Sequence, residues 1–146
     1  MKVLLEDKYT LTIVFESEYA KVYLVEGHKV LICEALKEYI PIENFKYVFL
    51  SMAPLVKEHQ IEKFIFDKRN LRAFHQPSME WYFIEWKKQM LEIGLSVHRK
   101  ILPKKLAWFE QAVQAGRAKI QNDYPDNIIA KLDVQYRNSI EEAIES

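Results

Sequence analysis

Phe64-Ile65-Phe66-Asp67, then Pro77-Ser78-Met79-Glu80-Trp81-Tyr82-Phe83-Ile84-Glu85-Trp86, then Val97-His98-Arg99-Lys100-Ile101-Leu102: an apolar run, an aromatic-rich stretch of helical period and a second short run decide how this chain folds. Phe64 to Phe66 shows little polar alternation, as a central strand covered on both faces would. Met79, Phe83, Trp86, Met90 and Ile93 recur at helical spacing and give one inward stripe. Pro77 suits a first helical turn, Ser78 is an alternative N-cap, and Gly94 is a natural terminator. Val97 to Leu102 reads as a strand ended by Pro103. Strand, helix, strand in this order implies parallel strands joined by a right-handed crossover.

Working outward, Tyr9 to Glu16 alternates, with Leu11, Ile13 and Phe15 on one face and Thr10, Thr12 and Val14 on the other. Lys21 to Glu26 and Lys29 to Ala35 are two more strands, linked at Gly27-His28 as a two-residue type II′ hairpin would be. Phe45, Val48, Phe49, Met52 and Val56 form a helical stripe, with a kink or restart expected at Pro54. Leu106 to Ile120 is helical in pattern although Gly116 weakens it. Leu132 to Arg137 reads as a last strand and Ser139 to Glu145 as a short final helix. The expected order is βββ-α-β-α-β-α-β-α. It describes one α/β domain spanning 1–146, with a single mixed sheet: an antiparallel N-terminal meander, then parallel strands with helical crossovers.

Composition agrees with one folded domain. The 146 residues are 49% hydrophobic and 29% charged, with 3 Gly and 5 Pro, which excludes a disordered or collagen-like chain. One cysteine excludes a disulfide framework, and Cys33, on a strand face with Leu31 and Ala35, is expected in the core. Lys plus Arg balances Asp plus Glu at 21 each, so whole-molecule attraction to nucleic acid or an anionic membrane is not expected. No stretch approaches a membrane span. Met1-Lys2-Val3-Leu4-Leu5-Glu6-Asp7 has too short an apolar run for a secretory signal, and a cytoplasmic location is expected. His28, His59, His75 and His98 never pair at i+3 or i+4, so no metal site is expected, and no nucleotide or hydrolase motif implies a cofactor.

The element order, the junction Phe64-Ile65-Phe66-Asp67-Lys68-Arg69-Asn70-Leu71 and the close Val134-Gln135-Tyr136-Arg137 into Ser139-Ile140-Glu141-Glu142-Ala143-Ile144 resemble the STAS/SEC14-like family related to the anti-sigma-factor antagonist SpoIIAA. The likeness spans nearly the whole chain. In anti-sigma antagonists an Asp-Ser-Ser/Thr-Gly motif after the equivalent strand carries a phosphorylated serine. Residues 67–79 contain no such motif, so that switch is not carried over to Ser78. The SEC14-like side of the resemblance implies a lipid or other apolar ligand and names no residue here.

Two features suggest a site. The segment from Asp67 to Ser78 leaves the carboxyl end of a parallel strand, where ligands bind in open α/β sheets, and offers Asp67, Arg69, Arg72, His75 and Ser78. Its plain structural counterpart is an Asp67 ion pair with Arg69 or Arg72 beside a capped helix. Trp81, Tyr82, Phe83 and Trp86 are more aromatics than one helix face buries, which implies core on two sides, or a pocket or subunit interface. Residues 87–119 carry eight basic side chains (Lys87, Lys88, Arg99, Lys100, Lys104, Lys105, Arg117, Lys119) against Glu92 and Glu110, and residues 120–146 are net acidic. The two blocks read as solvated faces or as complementary patches.

The expectation is a non-catalytic cytoplasmic regulatory or binding module for a protein partner or small ligand, with a homodimer allowed. Asp67, Arg69, His75, Ser78, Trp81, Tyr82 and Trp86 are its contact residues. A carrier of an apolar or lipid-like molecule is the alternative, needing a cavity of ~300 Å³ or more under the aromatic helix. A small hydrolase or isomerase using Asp67 and His75 is the third reading.

Overall fold

The computed structural model describes residues 2–5, 8–104, 106–126 and 128–146; Met1, Glu6, Asp7, Lys105 and Asn127, named or counted above in part, lie outside them. One seven-stranded sheet runs in sequence order, β1 (Lys2–Leu5), β2 (Tyr9–Glu16), β3 (Ala20–Val25), β4 (Val30–Ala35), β5 (Lys63–Asp67), β6 (Val97–Ile101) and β7 (Asp133–Tyr136). The first three pairings are antiparallel and the last three parallel. Between the parallel strands lie α1 (Ile42–Glu58), the composite helix α2 (Gln76–Trp81), a π-turn (Tyr82–Trp86) and α3 (Lys87–Glu92), then α4 (Ala107–Asp123). The short α5 (Ile140–Glu145) closes the chain.

Each parallel strand lies one place further along the sheet, so right-handed crossovers put α1, the composite helix and α4 on one face. The packing agrees. Leu31, Cys33, Phe64 and Phe66 of the sheet share a core with Phe49, Met52, Tyr82, Trp86, Phe109 and Val113. The opposite face is covered chiefly by α5, through Ile140, Ala143 and Ile144 against Val30, Ile32, Ile65 and Ile101. Lys63 Nζ donates to the carbonyls of Ala143 and Ile144, placing a cation at the negative end of α5.

Four expectations need correction. The meander has a further strand, β1, whose outward residues gave no alternation to read. A bulge between Ile13 and Phe15 shifts the register of β2, and Phe15 thereby joins the helix-side core while Leu11 stays on the other face. The β3–β4 link is a wider turn closed by His28 N–H on the Val25 carbonyl, with Gly27 at φ +76°. Helix α1 continues through Pro54 without a restart, that residue being exposed, where the carbonyl one turn back can meet water. No helix among the described residues is long and apolar enough to cross a membrane.

Candidate functional site

Strand register builds the site. Phe64 pairs with His98 and Phe66 with Lys100, while Lys100 pairs with Tyr136 on β7. Side chains alternate along a strand, so His98 and Lys100 share the helix-covered face with Phe64 and Phe66. Lys68, two residues after Phe66, continues that row, its amine 5.0 Å from the Phe66 ring centre. Above the row sits the π-turn. The Lys87 N–H bonds to the Tyr82 carbonyl, five residues back, which sets Tyr82 and Lys87 over one another as an ordinary helical turn would not. Tyr82, Phe83, Trp86 and Lys87 are all buried as a result.

The product is a cluster of cations under the aromatic helix. The Lys87 amine lies 3.7 Å from the Phe83 ring centre and 4.5 Å from that of Tyr82. Lys100 lies 4.4 Å and 5.2 Å from the same rings, and the Arg117 guanidinium 5.9 Å from Phe83. Lys87, Lys100 and His98 are fully buried. Among the described residues no hydrogen-bond partner meets the Tyr82 hydroxyl or either nitrogen of His98, and Lys87 Nζ and Lys100 Nζ meet only each other. No carboxylate among the described residues offsets the lysines; their charged neighbours are one another and Arg117. Ring faces attract cations but do not replace lost hydration.

Burial therefore dominates, and mutual repulsion adds to it. Both effects hold the Lys87 and Lys100 amines well below the ordinary lysine range. Lys68 is pushed down to about 8 by burial and by Arg117. His98 is likewise held neutral, first by burial and then by Lys87 and Lys100, and burial pushes the Tyr82 phenol up.

A cavity of about 50 Å³ opens onto this cluster at the carboxyl end of β5. Its walls include Phe45, Phe66, Phe74, Met79 and Phe109; Lys68 and Tyr82 also line it, the Tyr82 hydroxyl itself being fully buried. His75 Nδ1 and Ser78 Oγ, hydrogen-bonded at 2.9 Å, stand at the same cavity. Gly116 of α4 lets the composite helix approach closely, since a Cβ there would lie 2.6 Å from Phe74 Cζ and 2.9 Å from Met79 Sδ. The cavity takes a few non-hydrogen atoms.

The sequence-predicted contact residues divide. Tyr82, His75 and Ser78 come together at the cavity. Asp67 and Arg69 do not: their side chains pair at 2.7 Å on the opposite face of the sheet, in a separate depression with Tyr23, Glu34 and Ile140. Alternation along β5 sends Asp67 away from Phe66, and with it goes any Asp67–His75 catalytic pair. Trp86 is interior, its Nε1–H donating to the Phe49 carbonyl at 2.7 Å. Trp81 is half-buried, edge-on to Phe45 and 5.9 Å from the Lys46 amine. Ser78 bonds His75, and the helix N-cap is His75. The basic block is not one surface patch, since Lys87, Arg99 and Lys100 are interior.

Sequence reading missed Lys68, Lys87, His98 and Lys100. The signal for two of them was strand alternation in Val97 to Ile101, which puts His98 and Lys100 on one face and Arg99 and Ile101 on the other. No family model matches this chain, no curated protein matches its sequence, and no solved structure matches its fold.

Proposed function

We propose that this chain is a non-catalytic binding module for a small organic anion, held with its charged end on Lys68. The single observation that supports it is the cluster of Lys68, Lys87, Lys100 and Arg117 with no offsetting carboxylate, open to a cavity through Lys68. A buried cation is stable only when paired. An entering carboxylate or phosphate supplies that partner and raises the affinity of the amines for protons. Phe45, Phe66, Phe74 and Phe109 exclude water around the ligand and favour a short apolar body behind the charge. The resemblance to SpoIIAA-like chains belongs to this proposal too, supported by the antiparallel meander followed by parallel strand–helix units. So does the expected cytoplasmic location.

The test is calorimetric titration of the purified protein with acetate, propionate and phosphate, in two buffers of different ionisation enthalpy. Saturable binding whose heat depends on the buffer, and which Lys68→Met weakens about tenfold or more, fits loss of a charge-assisted contact. No binding to any of the three anions, or equal binding by the variant, overturns the reading.

A further inference from the structure

The anion-binding reading leaves one chemical property of the site unused. The cavity presents a primary amine that meets no acid. Lys68 is 7% exposed and lines the cavity, whereas Lys87 and Lys100 are fully buried and line none of its wall. An amine that is desolvated and set among other cations gives up its proton readily, and the free amine is the nucleophile that condenses with a carbonyl group. Tyr82 lines the same cavity with its hydroxyl buried, and Lys87 and Lys100 stand behind its ring, where a negative charge would favour their protonation.

We propose that the pocket captures short 2-oxo acids covalently, as an imine on Lys68; this rests on the anion-binding reading for the carboxylate and adds the carbonyl. The Nζ lone pair forms a bond to the carbonyl carbon, and the C=O π pair moves onto oxygen. That oxygen takes a proton from a water molecule, which regains one from the attacking nitrogen. The carbinolamine hydroxyl then takes one further proton from solvent and leaves as water while the nitrogen lone pair forms C=N. No oxidant or reductant enters. The iminium that results carries one positive charge on nitrogen and meets the ligand's own carboxylate, so the cavity holds a neutral pair. His75, held by Ser78, stands at the cavity wall and forms no part of the step.

The experiment uses the full chain with pyruvate as probe and sodium cyanoborohydride, which reduces an iminium to a stable secondary amine. Intact-mass measurement and peptide mapping then read the adduct. The expected result is one adduct per chain at Lys68, about tenfold or more above any surface lysine as expected for an activated amine, and suppressed by excess propionate. Lys68→Arg, which keeps the charge, loses it, and Lys88→Arg, a surface control, retains it. Wild-type mapping alone decides the site, so a poorly folded variant does not leave the question open. No adduct, or adducts spread over exposed lysines, with propionate still bound in calorimetry, overturns covalent capture and leaves anion binding standing. Absence of both adduct and propionate binding overturns both readings.

Discussion

Replacing Lys68 by Met keeps the length and apolar stem of the side chain and removes its charge. In the folded chain the Lys68 amine loses its proton near pH 8; its ordinary value, which the unfolded chain restores, is 10.5. Between those values the unfolded state binds more protons than the folded one, so stability rises with pH across that window. Below it the handicap is complete. At 1.36 kcal/mol per pKa unit it amounts to about 3 kcal/mol at pH 7, about 2 kcal/mol at pH 9, and well under 1 kcal/mol at pH 10.5. Loss of the amine–ring contact with Phe66 takes back about 1 kcal/mol.

Lys68→Met is therefore expected to be more stable than the natural chain by about 2 kcal/mol at pH 7, a rise of about 1 M in the urea midpoint. The advantage shrinks and changes sign as pH climbs toward 10.5. Removing the Lys68 charge also relieves repulsion on Lys87 and Lys100, so their response adds to the difference between the two curves in the same direction. Urea unfolding followed by tryptophan fluorescence at pH 7, 8, 9 and 10 measures it. A variant less stable at pH 7, or a gap that does not change with pH, would refute the claim that this amine is buried without a partner.

Gly116→Ala should destabilise by about 1–3 kcal/mol in thermal or chemical unfolding, despite the better helix propensity of alanine, because the new Cβ meets Phe74, Gln76 and Met79; a stabilised variant would show that α2 and α4 have slack between them. Trp86→Phe should lower stability by about 2–4 kcal/mol, through a cavity and an orphaned Phe49 carbonyl, with anion affinity changed less than twofold. Asp67→Asn should leave propionate affinity unaltered, since its pair with Arg69 lies across the sheet from the cavity; a large loss in calorimetry would place both faces in one site.

The parallel half of the fold was legible because its strands and helices differ in period. Phe64-Ile65-Phe66 and the stripe from Met79 to Met90 needed no tertiary information to be assigned. Lys2 to Leu5 was not legible, being an edge strand with three exposed residues in four. Neither was the bulge after Ile13, since an extra residue in a ladder shows only against its partner strand. The site was half legible. Its rings are evident as an excess, but a lysine on an inward strand or helix position reads as a solvated charge until the neighbours are known.

That aromatic excess has a local cause. With 3.6 residues per turn, Tyr82 and Lys87 are five positions and roughly 140° apart, so one of them would leave the core. The five-residue closure between them removes that divergence, and Tyr82, Phe83, Trp86 and Lys87 all point inward from a single stretch. The bend in hydrogen bonding that buries the extra ring thus also buries the amine, and Lys100, fixed by its register with Phe66, meets it beside the Phe83 ring. Regular α-helix in place of the π-turn would keep the hydrophobic layer nearly intact while turning one cation out to water. The irregularity costs the helix regular bonds and gives the core nothing that a leucine in place of Lys87 would not give better. Its distinctive consequence is a pair of amines behind Lys68 that burial holds short of their usual charge, and an anion in the cavity would favour their protonation.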